Sequence, residues 1–416
     1  MMKKNSTLLL VFLFLCTLAL HAQTCHLTIK NPSTYQRLEV VEIPLHSLQK
    51  KLGSTDPKSW VVHDQAGLEI VSQATYDNCF LIPVELLPHS AYTFTVSVGK
   101  PQKYIPTTFI KMYPDREDDI AWENDCIAFR TYGPALQKTG ERSFGFDVWV
   151  KNTPDWVVNY RYALQLSPKI QTRIEQLRKK DAKEAIELAQ RSSYHIDHGN
   201  GLDCYKVGPT LGCGTPALLD KKNNLIYPWC YETYKILDNG PLRVTMLLQY
   251  EKKELPDMGT IRETRIINLD KYSQLNRMKV SYDNLKTKTY MAAGLVVHAG
   301  DTTHYTLNIK NGWMSYIDPT DTPQGYNGEI FVGCVFPEKV KQMELRRFSS
   351  NESKKLREGD FGHLLAINEL KPSQRTVSYY WGAAWNKYNF NSPQEWNIYL
   401  QHFTESINHP LQIKIY

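Results

Sequence analysis

The chain has 416 residues, of which 22% are charged and 12% aromatic, and its formal net charge at pH 7 is +6. This is enough chain to bury one large core or two. Because the positive charge is mild and scattered along the sequence, it argues against a nucleic-acid-binding protein. It is compatible with a small acidic substrate.

The first 22 residues predict a secretory signal peptide. Lys3 and Lys4 precede an apolar run from Leu8 to Leu20, and Ala22 is a small residue suited to a cleavage site. The apolar run is short for a membrane span, so an uncleaved anchor is the less favoured alternative. We therefore expect an exported, periplasmic protein without membrane insertion, whose formal charge falls from +6 to +4 when both lysines are removed.

The cysteines match neither a small disulfide scaffold nor a zinc site. Eight occur in the chain, one of them (Cys16) in the predicted signal peptide, and none forms a C-x-x-C motif. An exported protein can form disulfides, so a bridge between Cys204 and Cys213 is compatible with the sequence. Buried free thiols are equally compatible.

Residues 23–107 predict a small β-sandwich module. Short apolar or alternating runs, among them CHLTIKNP, LEVVEIPL and YTFTVSVGK, are separated by turn residues. Short strands bounded by turns at regular spacing are typical of a sandwich. No group of reactive side chains occurs in this part of the sequence, which favours a structural role for the module.

Residues 108–416 predict one large antiparallel β-sandwich with few helices. Strand-like runs follow one another closely along most of this region. Strands without intervening helices favour an antiparallel arrangement over a parallel α/β sheet. Helical spacing occurs at 167–191, where Asp181 marks a break between two helices, and again at 394–407.

The stretch from Tyr194 to Leu219 is the main candidate for a functional loop. Its sequence, YHIDHGNGLDCYKVGPTLGCGTPALL, combines ionisable side chains with five glycines and two prolines. Such a density of ionisable groups is costly in a core, whereas loops on a rigid scaffold commonly carry function. The group His195, Asp197 and His198 leaves a divalent metal possible, but its spacing matches no metal motif, and we predict no cofactor.

Three motifs connect the chain with a known family. WENDCIAFRTYGPAL, HGNGLDCYKVGPTLGCGTPAL and LDNGPLRVTMLLQYE, the last followed by RETRIINLD, resemble the DUF4861 family of exported Bacteroidetes proteins. The third motif also resembles the β-sandwich of galactose-mutarotase-like and polysaccharide-lyase proteins. The resemblance implies a galactose-mutarotase-like supersandwich. It also implies action on uronic-acid-containing oligosaccharides, as a carbon–oxygen lyase or a dehydratase.

Elimination beside a uronate carboxylate needs a cation for that carboxylate, a base and an acid. The predicted proton carriers are His195, His198, Tyr205 and His298. The predicted substrate-binding residues are Arg130, Lys206, Arg265 and Glu123, with Trp229, Trp313, Trp381 and Trp385 as stacking surfaces. Each also has a structural interpretation: His298 as a core histidine, the charged residues as ordinary ion pairs, and the aromatic residues as strand formers.

Two other functions remain open from the sequence. A sugar epimerase or mutarotase needs one histidine and one carboxylate. A non-catalytic glycan-binding protein needs only the tryptophans. The expected partner in each case is a saccharide, acidic in the favoured lyase or dehydratase. No nucleophile elbow, P-loop or dinucleotide-binding fingerprint occurs in the sequence.

Overall fold

The structure is a computed structural model that describes residues 24–228, 230–255, 257–298, 303–320, 327–353 and 360–416. The predicted signal peptide and Trp229 lie outside the described residues. The predicted fold class is confirmed: the chain is mostly β, with several antiparallel sheets and a large sandwich preceded by a smaller module. Over the described ranges, no helix combines the length and apolar character needed to cross a membrane.

The first module is a sandwich of two antiparallel sheets with its own core. Its elements are β1 (Thr24–Lys30), β2 (Arg37–Pro44), α1 (Leu45–Leu52), β3 (Trp60–His63), β4 (Glu69–Ile70), β5 (Gln73–Ala74), β6 (Cys79–Leu86) and β7 (Ala91–Val98). Leu27, Ile43 and Phe80 are buried together between the sheets. The last strand of the chain, Gln412–Ile415, pairs with β1. The chain therefore returns to this module, although the sequence placed its end in the large domain.

A five-stranded antiparallel sheet, the middle sheet, follows in the order β12-β11-β10-β9-β8. This part contains β8 (Phe109–Tyr113), β9 (Asp119–Glu123), β10 (Ala128–Thr131), α2 (Pro134–Lys138), β11 (Asp147–Val150), α3 (Val158–Gln165), α4 (Pro168–Arg178), α5 (Ala182–Ser192) and β12 (Leu202–Asp203). The predicted helix break is confirmed, because Asp181 caps α5 by accepting from the amides of Lys183 and Glu184. Strands β9 to β11 are buried along their whole length, so their polar side chains are also buried.

The large sandwich consists of a nine-stranded sheet facing a five-stranded sheet. Its elements are β13 (Cys213–Leu219), β14 (Leu225–Ile226), β15 (Tyr231–Asn239), β16 (Arg243–Tyr250), β17 (Lys253–Leu255), β18 (Gly259–Asp270), β19 (Leu275–Asp283), β20 (Thr289–Val297), β21 (Tyr305–Asn308), β22 (Trp313–Asp318), β23 (Ile330–Val335), β24 (Gln342–Arg347), α6 (Ser350–Ser353), β25 (Gly362–Leu370), β26 (Thr376–Trp385) and α7 (Pro393–Asn408). The last strand, β27 (Gln412–Ile415), belongs to a sheet of the first module. The two sheets have the orders β15-β16-β18-β19-β26-β23-β22-β21, with β17 on β18, and β14-β13-β20-β25-β24. Met278, Leu295 and Trp381 share the core between them.

The stretch 194–212 connects the middle sheet to the large sandwich. Gly212 bridges to Phe146, and the Cys213 amide donates to the Phe146 carbonyl over 2.9 Å. Gly212 has a φ of 53°, and a Cβ at this position would lie 2.4 Å from the same carbonyl oxygen. Nearby, the Leu211 amide donates to Nε2 of His363 over 3.0 Å. These contacts fix the backbone just after Tyr205 and Lys206.

Candidate functional site

The turn that contains His195, Asp197 and His198 is built around the aspartate. Oδ1 of Asp197 accepts hydrogen bonds from the amides of Gly199 and Gly201, at 2.8 and 3.0 Å. Nε2 of His198 lies 3.0 Å from the Ser193 carbonyl oxygen, and its ring is exposed. No group of three or more side chains able to hold a metal ion occurs in the described ranges. Asp197 therefore stabilises the turn, and His198 belongs to the same local structure.

Three buried aspartates surround Arg130 beneath this turn. Nη2 of Arg130 contacts the carboxylate of Asp147 and lies 2.9 Å from Oδ2 of Asp203. Nη1 lies 3.9 Å from Oδ2 of Asp119, which is also 4.0 Å from the guanidinium of Arg116. We call these five residues the Arg130 cluster. Three carboxylates therefore face two guanidinium groups in a buried place.

Burial raises the pKa of Asp147 to about 7 and that of Asp119 to about 6, against the opposing effect of Arg130. The acids in the cluster also outnumber the cations, so a proton on one acid reduces the repulsion between the carboxylates and raises their pKa further. Arg130 itself is only 4% exposed and already paired. It therefore anchors the aspartates, and the prediction that it clamps a substrate carboxylate is corrected.

His195 lies at the solvent edge of the Arg130 cluster. Its Nδ1 is 3.0 Å from the backbone oxygen of Asp203 and 3.7 Å from Oδ2 of the same residue. More than half of its side chain is exposed. Of the two histidines in the turn, His195 is thus the one that reaches a buried carboxylate.

A second group forms around His298, where β20 and β22 end in opposite sheets of the large sandwich. Nδ1 of His298 lies 2.5 Å from Oδ2 of Asp318. The other oxygen of Asp318 accepts from the amide of Thr320 over 2.9 Å, which fixes the carboxylate. Nε2 of His298 lies 3.8 Å from Oδ1 of Asp360. The histidine side chain is only 10% exposed, so it is held between two acids in a largely dry place.

The charges around His298 favour its protonated form. Burial alone would lower the pKa of this imidazole, but Asp318 and Asp360 outweigh it and raise the pKa above its ordinary value. Lys206 acts in the opposite direction, which places a cation within electrostatic reach of the ring. A histidine anchored by a carboxylate through Nδ1 leaves Nε2 for proton transfer.

Tyr205 completes this group, which we call the His298 site: His298, Asp318, Tyr205 and Lys206. The rings of Tyr205 and His298 are 5.9 Å apart and meet edge to face. Burial raises the pKa of Tyr205 well above its usual value, and both Asp318 and Asp147 add to the effect. The tyrosine therefore lies within the fields of the His298 site and the Arg130 cluster.

Two polar atoms of the His298 site are buried without a hydrogen-bond partner among the described residues: the Tyr205 hydroxyl and Nε2 of His298. Such groups are costly in a folded protein, because each gives up its bonds to water without replacement. Buried titratable groups of this kind make the His298 site the candidate functional site. Of the residues predicted from the sequence, the structure brings Tyr205, Lys206 and His298 into one group.

The predicted tryptophan floor is corrected by the structure. Trp381 is fully buried and stacks on Phe146 at 4.3 Å between ring centroids, while Trp385 is 2% exposed. Trp313 is buried, and its Nε1 donates to Oε1 of Gln401 in α7. These side chains form core contacts rather than a surface for sugar rings. Trp229 lies outside the described residues, so its role stays a prediction.

Two predicted substrate-binding charges are also core residues. Arg265 is 1% exposed and pairs with Glu263 inside the large sandwich. Glu123 pairs with Nζ of Lys151 at 2.8 Å and accepts from the amides of Val157 and Val158 at the start of α3. Their bonding capacity is used inside the fold, which corrects the prediction that they contact a substrate.

Two residues of functional interest were missed from the sequence. Asp318 is the last residue of the strand WMSYID, and this position at a strand end is the only signal in the sequence that points to it. His363 is fully buried, and burial lowers its pKa to about 3, so it stays neutral and accepts a hydrogen bond from the Leu211 amide.

The disulfide between Cys204 and Cys213 that the sequence allowed is not formed, because both residues are free thiols.

Comparison with known proteins shows which family the chain belongs to. The model of the family described as "Domain of unknown function (DUF4861)" matches residues 29–413. The chain therefore belongs to the DUF4861 family, as its motifs predicted. It is also 27% identical to "Uncharacterized protein P7" of Formosa agariphila over 408 residues, covering 94% of this chain and 93% of that protein.

Similar solved structures include two from Enterococcus faecalis. A protein in glycosyl hydrolase family 38 aligns with a TM-score of 0.49 and 9% identity, over 95% of this chain and 47% of that chain. An alpha-mannosidase aligns with a TM-score of 0.43 and 10% identity, over 95% of this chain and 46% of that chain. The chain spans about half the length of these two proteins.

Proposed function

We propose that this protein is a carbohydrate-active enzyme that acts on uronic-acid-containing oligosaccharides as a carbon–oxygen lyase or dehydratase. The observation that carries the proposal is the His298 site, where a carboxylate-anchored imidazole and a tyrosine hydroxyl are buried together. Neither Nε2 of His298 nor the Tyr205 hydroxyl has a hydrogen-bond partner among the described residues. Lys206 supplies a nearby positive charge. The family resemblance contributes the substrate class.

The proposed reaction is an elimination. Nε2 of neutral His298 removes the proton on C5 of the uronate, and that electron pair forms the C4–C5 double bond. The C4–O bond breaks, and the Tyr205 hydroxyl donates its proton to the leaving oxygen, which departs as an alcohol in a lyase or as water in a dehydratase. Asp318 stabilises the imidazolium that forms, and Lys206 pairs with the uronate carboxylate.

The directions of the pKa shifts support these roles. The raised pKa of Tyr205 keeps its hydroxyl protonated, as an acid requires. The raised pKa of His298 makes the neutral imidazole a stronger base. After the elimination, His298 releases the C5 proton to solvent, and the Tyr205 oxygen takes up a proton from solvent. Both groups are then in their starting states.

The test is the unsaturated uronyl absorbance on oligosaccharides from pectin, ulvan and glycosaminoglycans. We expect the absorbance to rise with the wild-type protein. Tyr205→Phe keeps the ring and removes only the acid, so we expect it to slow the rise by roughly 10²–10⁴-fold. The absence of any new band with all three substrate classes would contradict the proposal.

A sugar epimerase or mutarotase is the second candidate, because His298 and Asp318 provide the histidine and carboxylate that it needs. Rapid exchange of sugar anomers by NMR, without a new double bond, would favour this activity. The hypothesis of a non-catalytic glycan-binding protein depended on exposed tryptophans. Trp313, Trp381 and Trp385 are all buried, so they do not support it.

A further inference from the structure

We infer that the groove between the first module and the large sandwich is a second binding site, for a short acidic oligosaccharide. The groove has a volume of about 580 Å³ and lies between β2, the outer face of the nine-stranded sheet and α7. Cavities of a few hundred cubic ångströms at domain junctions are common ligand sites. None of its lining residues belongs to the His298 site, so the inference goes beyond the proposed function.

Aromatic rings form one side of the groove. Tyr35 stacks on His402 at 3.8 Å between ring centroids, with parallel planes, and its hydroxyl donates to the His402 carbonyl over 2.8 Å. Tyr380 and Phe403 meet edge to face at 5.0 Å. Because these rings are fixed by one another, they offer ordered apolar surface at little cost in side-chain entropy.

Charged side chains of the groove are fixed before any ligand arrives. Arg37 donates to both oxygens of Glu39, at 2.9 and 2.8 Å. Arg243 lies 2.7 Å from Glu42 and donates to Asp270 over 2.7 Å. Both arginines are almost fully buried, so their acidic partners present oriented acceptor atoms to the groove.

Arg277 is the cation with reach into the open part of the groove. Its side chain is 47% exposed, and its guanidinium lies 3.3 Å from the carboxylate of Glu42, which is a loose ion pair. Four cationic side chains line the groove: Arg37, Arg243, Lys271 and Arg277. Arg37 and Arg243 pair with the carboxylates of the groove, and Lys271 lies 3.2 Å from Asp125, whereas Arg277 is the most exposed of the four.

This combination fits a sugar better than an apolar or a purely anionic ligand. Sugar hydroxyls both donate and accept hydrogen bonds, so they can use the arginines and the carboxylates together. The C–H faces of sugar rings pack on aromatic rings. The exposed guanidinium of Arg277 favours a saccharide that carries a carboxylate or a sulfate.

The test uses the full chain with His298→Gln, which prevents turnover, and tetrasaccharides from pectin, ulvan and glycosaminoglycans as probes. By titration calorimetry we expect two sites per chain for at least one probe. Adding Arg277→Ala removes a charge-assisted contact and is expected to weaken one of the two sites about tenfold. Carboxyl-reduced and desulfated versions of that probe show which acidic group is recognised.

Lys279→Ala is the matched control, because Lys279 is exposed two residues further along β19 but does not line the groove. We expect it to leave both affinities within about twofold. Equal binding by the Arg277 and Lys279 variants, or no binding of any probe to the His298→Gln protein, overturns the inference. Because binding is measured without turnover, this result is independent of the elimination chemistry.

Discussion

The two histidine-containing regions of this protein differ in what surrounds the imidazole. In the turn at 195–201, the carboxylate of Asp197 binds backbone amides and His198 contacts a backbone carbonyl, both at the surface. At the end of β20, His298 is buried against Asp318, with Tyr205 beside it. The first region uses polar side chains to shape the chain, and the second buries them against one another, as the proposed acid–base role requires.

This difference teaches that density of ionisable residues is a weaker signal than their burial. The turn has more titratable groups per residue, but solvent and backbone satisfy them. The His298 site has fewer, yet two of its polar atoms are buried without partners among the described residues. Buried titratable groups of this kind are a mark of a candidate functional site.

The largest expected effect separates the two histidine regions directly. His298→Gln removes the proposed base, so we expect kcat/KM for unsaturated product formation to fall by roughly 10²–10⁴-fold. His198→Gln is the matched control, because it changes an exposed histidine of the surface turn, and its activity is expected to stay within about twofold. Equal losses of kcat/KM in the two variants would contradict the assignment of the catalytic base to His298 and of a structural role to the surface turn.

The Arg130 cluster offers a test of stability rather than activity. Arg130→Met leaves three buried carboxylates with less compensation, and we expect a loss of about 3–5 kcal/mol in the free energy of unfolding. Urea denaturation measures it. Arg173→Met, which breaks the exposed 3.6 Å pair with Glu184 in the helical region, is expected to cost less than about 1 kcal/mol. Similar costs for the two variants would show that the cluster is not electrostatically coupled.

The same cluster predicts a pH dependence. The folded-state pKa of Asp147 is raised to about 7, mainly by burial, whereas an unfolded aspartate titrates near 3.9. Between these values the folded state binds more protons than the unfolded state, so this group makes stability fall as the pH rises from about 4 to about 7. Asp147→Asn is expected to flatten that fall in urea unfolding across this range. An unchanged or steeper slope would contradict the raised pKa.

The smallest effect concerns the surface turn itself. Asp197→Ala removes the acceptor for the amides of Gly199 and Gly201, and we expect it to cost about 1 kcal/mol in thermal or urea unfolding. His198→Ala is expected to change stability by less than about 0.5 kcal/mol, as an exposed substitution. A larger cost at His198 than at Asp197 would reverse the assignment of roles within the turn.

Much of the fold was predictable because strand alternation and turn residues are local signals. The end of the chain was not, since the pairing of β27 with β1 joins residues separated by almost the whole sequence. The tryptophans were misassigned for a related reason. Trp381 alternates as a strand residue should, but its side of the sheet packs against the five-stranded sheet inside the large sandwich, so its ring is buried.

The site was predictable only in part. Tyr205, Lys206 and His298 were identified by their chemical type, and the structure brings them together. Asp318 was missed because its contact with His298 depends on two sheets meeting at their ends, which no local pattern records. Conversely, Arg265 and Glu123 have side chains suited to substrate binding. The structure shows that they instead pair with Glu263 and Lys151, and the sequence does not reveal these pairs.

The most direct test of the His298 site is a crystal structure of Tyr205→Phe with a uronic-acid tetrasaccharide that the wild-type protein converts. The variant should hold the substrate intact. We predict that C5 of one uronate lies next to Nε2 of His298, with its carboxylate within about 3 Å of Lys206. A saccharide bound only elsewhere, with His298 still enclosed by Asp318 and the tyrosine ring, would contradict the account.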